Sequence, residues 1–420
     1  MTRRLLNAAR RADTWLTRRP DRRRILVDGH TPVNFTMFAP VYWRLQRDPR
    51  IEVAFTASHE PARIKEIYRE ATGVPVIHPR RAALMRFDAY VASDFLWAAL
   101  PRGTCRIQIF HGVGGKYGFD APDRSMREWD RLFFVNERRL RNYIAANAID
   151  ADSPAIRLVG MPKSDCLVDG TFTRERVLDG LGLDPALPTV LYAPTWSPAS
   201  SLNAMGVDLV RALLQRPLNV IVKLHDRSRD LRERYSGGID WMAALQPVVR
   251  GTRGVVADTH DISPYLVGAD LMITDHSSAG FEYLLRDRPL VRIHRPALLQ
   301  LASVHPDYAA LLASVSESVD TLPEVLTAVE RGLANPQHRS AERRAVAADL
   351  FYKPGTATDR CTEYLYEAIE LPCPSPGAQL QSSDSRSSQG HVRDSRSAQG
   401  RLRDSRSAQL QLRDSPASES

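Results

Sequence analysis

Two histidines each close a short apolar run. His111 follows Ile107-Gln108-Ile109-Phe110, and His225 follows Val220-Ile221-Val222-Lys223-Leu224. An imidazole titrates near neutral pH, so two of them brought together from opposite halves of a chain would suit acid/base or phosphate-stabilising work. After His111 come Gly112-Val113-Gly114-Gly115-Lys116, and such glycines let backbone N–H groups approach an anion closely. Tyr117 follows Lys116 where a Walker A loop needs Ser or Thr, and the third glycine is misplaced for a dinucleotide fingerprint. Between the histidines, Tyr192-Ala193-Pro194-Thr195-Trp196 puts a rigid turn, a hydroxyl and an indole after another apolar run. Further on, Leu271-Met272-Ile273 leads into Thr274-Asp275-His276-Ser277-Ser278, and a helical pattern begins at once with Ala279-Gly280-Phe281-Glu282. Ser277 and Ser278 at a helix start lie beside free N–H groups and the positive end of the helix dipole, which suits phosphate.

Each segment also has a structural reading. A His-Gly pair after a strand, a loop anchored by a buried Trp196 and an N-capping serine are all found without catalysis. Asp150-Ala151-Asp152 follows a polar, alanine-rich helix rather than a strand, and reads as a cap rather than a metal pair. There is no HExxH, no P-loop and no Gly-x-Ser-x-Gly elbow. No metal and no cofactor are expected.

The elements that must position these residues alternate regularly. Short apolar runs at Ile25–Asp28, Ile51–Phe55, Val74–Ile77, Ala89–Ala92, Arg106–Phe110 and Arg131–Val135 are separated mostly by polar segments long enough for helices. The pattern restarts at Thr189–Tyr192 and continues through Asn219–Lys223, Gly254–Val256, Leu271–Thr274 and Pro289–Ile293. This predicts βαβ units and two parallel sheets, with ligands at the C-terminal strand ends. The predicted organisation is a basic arm over 1–23, an α/β domain over 24–165, a second over 185–345, a closing helix over 346–372 and a tail over 373–420. In the tail Asp-Ser-Arg recurs at 384, 394 and 404, with too few large apolar side chains to build a core.

Composition narrows the class. The 420 residues include 43% hydrophobic and 25% charged, which excludes a wholly disordered chain and a collagen-like repeat. Four dispersed cysteines without a CxxC pair argue against a zinc site or a disulfide scaffold and fit a reducing cytosol. No apolar run is long enough to span a bilayer. The formal net charge is +8, yet residues 1–24 hold nine Arg and two Asp. The body is therefore near neutral, which makes nucleic acid an unexpected partner for it. Residues 3–17 space Leu5, Ala9, Ala12 and Leu16 as an amphipathic helix, with Leu6 and Trp15 beside them. Such a helix suits the surface of an anionic membrane, and a frayed basic extension is the other reading.

Taken in order, the segments resemble the CDP-glycerol glycerophosphotransferase family, over roughly residues 105–365. The family's His-Gly-Thr-Pro-Leu-Lys loop is matched at His111, Gly112 and Lys116, and its Tyr-Ala-Pro-Thr-Trp strand end is matched in full at 192–196. His225 matches a histidine after the next strand, and Thr274-Asp275-His276-Ser277-Ser278 with Phe281-Glu282 matches a Thr-Asp-Tyr-Ser-Ser run followed by Phe-Asp. Gly160-Met161-Pro162-Lys163-Ser164-Asp165 resembles the family's Gly-x-Pro-x-x-Asp segment. The chain departs at Val113-Gly114-Gly115 and at His276; the first departure falls on the acceptor side.

The resemblance implies a GT-B-type pair of domains facing a cleft, and attack of an acceptor hydroxyl on the β-phosphorus of CDP-glycerol or a related CDP-polyol, releasing CMP. It implies His111 as general base, His225 as stabiliser of the diphosphate, and Gly112, Thr195, Ser277 and Ser278 around the phosphates. Thr274 and Asp275 would shape the loop, and Glu282 would reach a ribose hydroxyl. The implied acceptor is a lipid-linked polyol or glycan, and the implied location is cytoplasmic, on the inner face of the membrane. A GT-B enzyme with a nucleotide-sugar donor, a non-catalytic membrane- or polymer-binding protein of this fold, and nucleic-acid binding through the arm stay open on the residues themselves.

Overall fold

In a computed structural model, the chain is described over residues 3–17, 21–93, 96, 98–100, 103–110, 112–114, 124–302 and 304–374. Two six-stranded sheets organise it, and every strand pair is parallel. The first sheet comprises β1 (Arg23–Asp28), β2 (Ile51–Thr56), β3 (Ala89–Ala92), β4 (Cys105–Ile109), β5 (Arg131–Phe134) and β6 (Ile156–Leu158), in the order β2-β1-β3-β4-β5-β6. The second comprises β7 (Thr189–Tyr192), β8 (Asn219–Lys223), β9 (Gly254–Ala257), β10 (Leu271–Thr274), β11 (Leu290–Ile293) and β12 (Glu317–Val319), in the order β9-β8-β7-β10-β11-β12. The expected α/β class and parallel pairing are what the structure contains.

Parallel strands are covered by helices on both faces, so they are apolar throughout rather than alternating. All residues of β7, β8 and β10 are buried. Each fully buried branched side chain there contributes about 1.5–3 kcal/mol. The runs differ from expectation at three places. Val74–Ile77 forms only an isolated bridge from Val76 to Phe55, since Pro75 has no N–H to extend a ladder. Conversely, β6 and β12 are edge strands of three residues whose partly polar sequences carry no apolar run.

The predicted helix Arg3–Thr17 forms. It is docked, not free: the Asp13 carboxylate accepts from Arg24 Nη1 at 3.0 Å and from the Arg86 N–H at 2.8 Å, and Arg10 Nε donates to the Ala83 carbonyl at 2.9 Å. Trp15 remains 84% exposed.

The segment joining the sheets is a hub. After β6 the chain passes Gly160, whose φ of +87° favours glycine and where a Cβ would come within 2.7 Å of the Tyr352 carbonyl oxygen. The 3-10 turn Pro162–Leu167 then packs against helix Pro32–Leu45, helix Ser263–Gly268 and the closing helix Ala357–Ala368. Asp165 accepts from the N–H groups of Gly355 (2.8 Å), Ala357 (3.1 Å) and Thr358 (2.7 Å), so its carboxylate sits on the otherwise unpaired donors at the start of the closing helix. Two residues earlier, Lys163 Nζ donates to Glu282 Oε2 at 2.8 Å, and both side chains are buried. Burial alone would lower the Lys163 pKa, but the Glu282 and Asp261 carboxylates hold it above its ordinary value.

A buried pair is costly to break and cheap to replace whole. E282Q, which strands the ammonium, should lose about 3–5 kcal/mol of stability in denaturant unfolding, while K163M/E282M should recover most of it. Equal losses in the single and double variants would show that the pair is not coupled.

Candidate active site

In the second sheet the chain runs outward one way from β7 through β8 to β9, and the other way from β10 through β11 to β12. The loops after β7 and β10 therefore diverge and leave a crevice between them, the usual ligand position in open α/β sheets. Thr195 and Asp275 lie one on each side of it.

Asp275 is fully buried. Its Oδ1 accepts from the Thr195 N–H at 2.8 Å and the His276 N–H at 2.7 Å, while Oδ2 accepts from the Ser201 N–H at 3.1 Å and the Ser201 hydroxyl at 2.9 Å. Because the Ser201 proton is spent on Asp275, the Tyr192 hydroxyl 3.0 Å away must donate to Ser201 Oγ. The Thr274 hydroxyl donates to the Ala193 carbonyl at 2.7 Å. Thr274 and Asp275 thus tie the two diverging loops together, with four donors on one carboxylate.

Ser277 is buried, its hydroxyl 3.4 Å from the Ala279 N–H that donates to it. Ser278 is exposed at the N-cap of helix Ala279–Tyr283, with no side-chain cap bond. That helix is five residues long, so its dipole is smaller than the sequence pattern suggests. Glu282 is buried, and its Oε2 accepts from Lys163 Nζ.

At the end of β8, burial pushes the Lys223 ammonium down to about 8, with Asp226 opposing and Arg229 assisting. Its Nζ donates to the Leu224 carbonyl at 2.8 Å. His225 Nδ1 accepts the Arg227 N–H at 3.1 Å, so the neutral ring carries its proton on Nε2. The His225 and Trp196 rings lie 6.4 Å apart, which brings the second and third sequence segments together. The Asp226 carboxylate lies 2.7 Å from His260 Nδ1, and the backbone N–H of His260 donates to Glu70 Oε1 at 2.8 Å. Although burial favours its protonation, the His260 contact with Lys223 and His225 nearby holds Asp226 below its usual pKa. The first half of the chain thereby reaches the β8 loop.

The four segments read for chemistry did not include β11 or β12, although β11 falls in the apolar run Pro289–Ile293. Arg292, opposite Thr274 in the ladder, is buried, donates from Nη2 to the Ser318 hydroxyl at 2.7 Å and has Nη1 3.5 Å from His276 Nε2. Burial lowers its pKa. A charged residue within the apolar run Pro289–Ile293 was the available signal. Among the described residues no three His, Cys, Asp or Glu side chains gather as a metal-ligand set.

On the first sheet, His111 and Lys116 lie outside the described residues. The residues flanking His111 are anchored: Arg139 Nη1 donates to the Gly112 carbonyl at 2.9 Å and stacks on Phe110 at 4.5 Å, and Asn136 Nδ2 donates to the Val113 carbonyl at 2.9 Å. They place Gly112 just beyond the C-terminal end of β4.

Among curated proteins, the chain is 26% identical over 184 residues to a teichoic acid poly(glycerol phosphate) polymerase of Staphylococcus epidermidis, covering 40% of this chain and 23% of the relative. It is 22% identical over 210 residues to a teichoic acid poly(ribitol-phosphate) polymerase of Bacillus spizizenii, covering 44% and 31%. A 122-residue stretch is 30% identical to a uroporphyrinogen decarboxylase of Rhodospirillum rubrum, covering 29% and 32%. The chain thus spans between 23% and 32% of the length of these relatives. A solved structure of the wall teichoic acid polymerase TagF superposes with a TM-score of 0.64 at 16% identity, covering 87% of this chain and 94% of that one, which establishes the shared GT-B-type fold. Residues 41–370 match the CDP-glycerol:poly(glycerophosphate) glycerophosphotransferase pattern, and the chain belongs to that family of transferases.

Proposed function

We propose that the protein transfers glycerol phosphate, or a related polyol phosphate, from a CDP-polyol to an acceptor hydroxyl on a cell-wall or capsule-type polymer or its lipid-linked precursor. The observation that carries this reading is the crevice at the β7/β10 divergence, where Asp275 fastens the loop bearing Thr195 and Trp196 beside His225. In the reaction the acceptor oxygen bonds to the β-phosphorus, the bond from that phosphorus to the bridging oxygen breaks, and CMP leaves with the electron pair. Phosphoryl transfer of this kind is catalysed mainly by positioning and charge stabilisation.

His111 is assigned the acceptor proton, by its place in the motif and the position of Gly112 at the end of β4. His225, with its proton on Nε2, is suited to donate to a phosphate oxygen. The exposed Ser278, with Ser277 and the backbone around Gly112 and Thr195, completes the polar surround. Thr274 and Asp275 act through loop geometry. Glu282, paired with Lys163, is better suited to joining the two halves than to meeting a ribose hydroxyl.

The docked N-terminal helix supports placement on an anionic membrane at its inner face: Trp15 is exposed while Asp13 and Arg10 fix the helix to the body. No helix among the described residues is long and apolar enough to cross a membrane.

The direct test offers CDP-glycerol, CDP-ribitol and UDP-sugars with a lipid-linked acceptor and scores nucleotide release. CMP from a CDP-polyol is expected; UDP release alone would make the enzyme a sugar transferase. H225A should lower kcat about 10²–10³-fold, as loss of an oxyanion-type donor does. H111A should lower it about 10²–10⁴-fold and flatten the acidic limb of the pH–rate profile. Full activity in both variants would remove the assigned roles. For the arm, W15E should weaken sedimentation with phosphatidylglycerol vesicles about tenfold or more. Unchanged sedimentation would show that the helix is not the membrane contact.

A further inference from the structure

Four arginines crowd the loop after β8, and their partners differ. Arg229 is held by Asp258 and the Ala257 carbonyl, and Arg232 by Asp230. Arg234 is exposed, and its guanidinium carbon, like that of Arg232, lies 4.6 Å from the Tyr235 ring centroid. Arg227 is placed otherwise. Its guanidinium carbon lies 4.6 Å from the centroid of the Trp196 ring and 5.4 Å from that of Tyr235, and these rings meet edge to face at 5.4 Å. Among the described residues no carboxylate pairs with its guanidinium and no acceptor takes a hydrogen bond from it.

Aromatic contact fixes the plane of a guanidinium through its face and leaves the N–H groups at its edge unspent. The side chain is therefore pre-oriented, half-buried and still able to give a two-pronged hydrogen bond. It also stands beside His225, whose Nδ1 accepts the backbone N–H of the same residue at 3.1 Å. The Nε2–H of His225 can give a phosphate one hydrogen bond, and the Arg227 guanidinium can add a two-pronged bond and a fixed positive charge. Asp226, between the two, is committed to His260.

We infer that Arg227 is a phosphate-binding residue of this site, gripping two non-bridging oxygens of a phosphate ester, and that Trp196 and Tyr235 are positioning residues that hold its plane. The inference rests on the transferase reading above and adds a specificity element to it. It also explains the tryptophan of the fully matched Tyr-Ala-Pro-Thr-Trp segment, whose indole face orients an arginine. The phosphate oxygens have two sources in that reaction, the diphosphate of the donor and the phosphodiesters of a growing acceptor.

The inference is tested by calorimetric titration of the full chain, as wild type, R227Q, R227K and Y235L, with CDP-glycerol, cytidine, a glycerol phosphate oligomer and inorganic pyrophosphate, each variant checked for folding by circular dichroism. R227Q should weaken phosphate ligands about ten- to a hundredfold and leave cytidine unchanged. R227K should recover only part of this, since an ammonium lacks the fork, and Y235L should move affinity in the same direction by less. A loss confined to CDP-glycerol and pyrophosphate assigns the fork to the donor; a loss confined to the oligomer assigns it to the acceptor. If R227Q binds every ligand within twofold of wild type, the fork is wrong even though the transferase reading stands. If wild type binds neither CDP-glycerol nor the oligomer, but R227Q loses pyrophosphate, the fork stands and the transferase reading falls.

Discussion

The geometry of the crevice hangs on one buried carboxylate. Asp275 has no exposed surface and would be prohibitively costly as a bare charge, yet four donors converge on it, so it is satisfied where it stands. The donors belong to two loops that the sheet order sends in opposite directions. Without a common acceptor, the N–H groups of Thr195 and Ser201 would be orphaned in the interior at about 1–3 kcal/mol each. The constraint propagates. Fixing Thr195 places Trp196, and the Trp196 face holds the Arg227 side chain beside His225, whose Nδ1 accepts the Arg227 backbone N–H. A carboxylate assigned no direct chemistry thereby places the loop whose indole carries the Arg227 guanidinium.

The same device recurs at the join between the halves. Asp165 gathers three N–H groups at the start of the closing helix, and Lys163 in the same turn reaches Glu282 at the other side of the join. Gly160 permits the approach, since any Cβ there would strike the Tyr352 carbonyl oxygen. One short segment thus touches helix Pro32–Leu45, the closing helix and, through Lys163, the helix that follows the Asp275 loop.

The central strands were legible because a parallel sheet covered on both faces needs continuous apolar runs, and Leu271–Thr274 or Asn219–Lys223 could hardly be anything else. Two of the four edge strands were not: Ile156–Leu158 and Glu317–Val319 are three residues long and partly exposed, so they carry no such run, whereas the edge strands at Ile51–Thr56 and Gly254–Ala257 do. The motifs led to the right strand ends, but the roles within them depend on partners far away in sequence. Asp275 meets Thr195 across 80 residues and Glu282 meets Lys163 across 119, and no local pattern announces either. Glu282 reads locally as a polar residue one turn into a helix, and its pairing with Lys163 appears only in the fold. Likewise the basic arm reads as a free address, whereas Asp13 and Arg10 spend part of it on the body.

The most direct measurement of the central claim is a crystal structure of the protein soaked with CDP-glycerol. The diphosphate is predicted in the crevice between the loops after β7 and β10, within hydrogen-bond distance of His225 Nε2 and the Arg227 guanidinium. Density for the diphosphate elsewhere, with those two side chains still facing solvent, would contradict it.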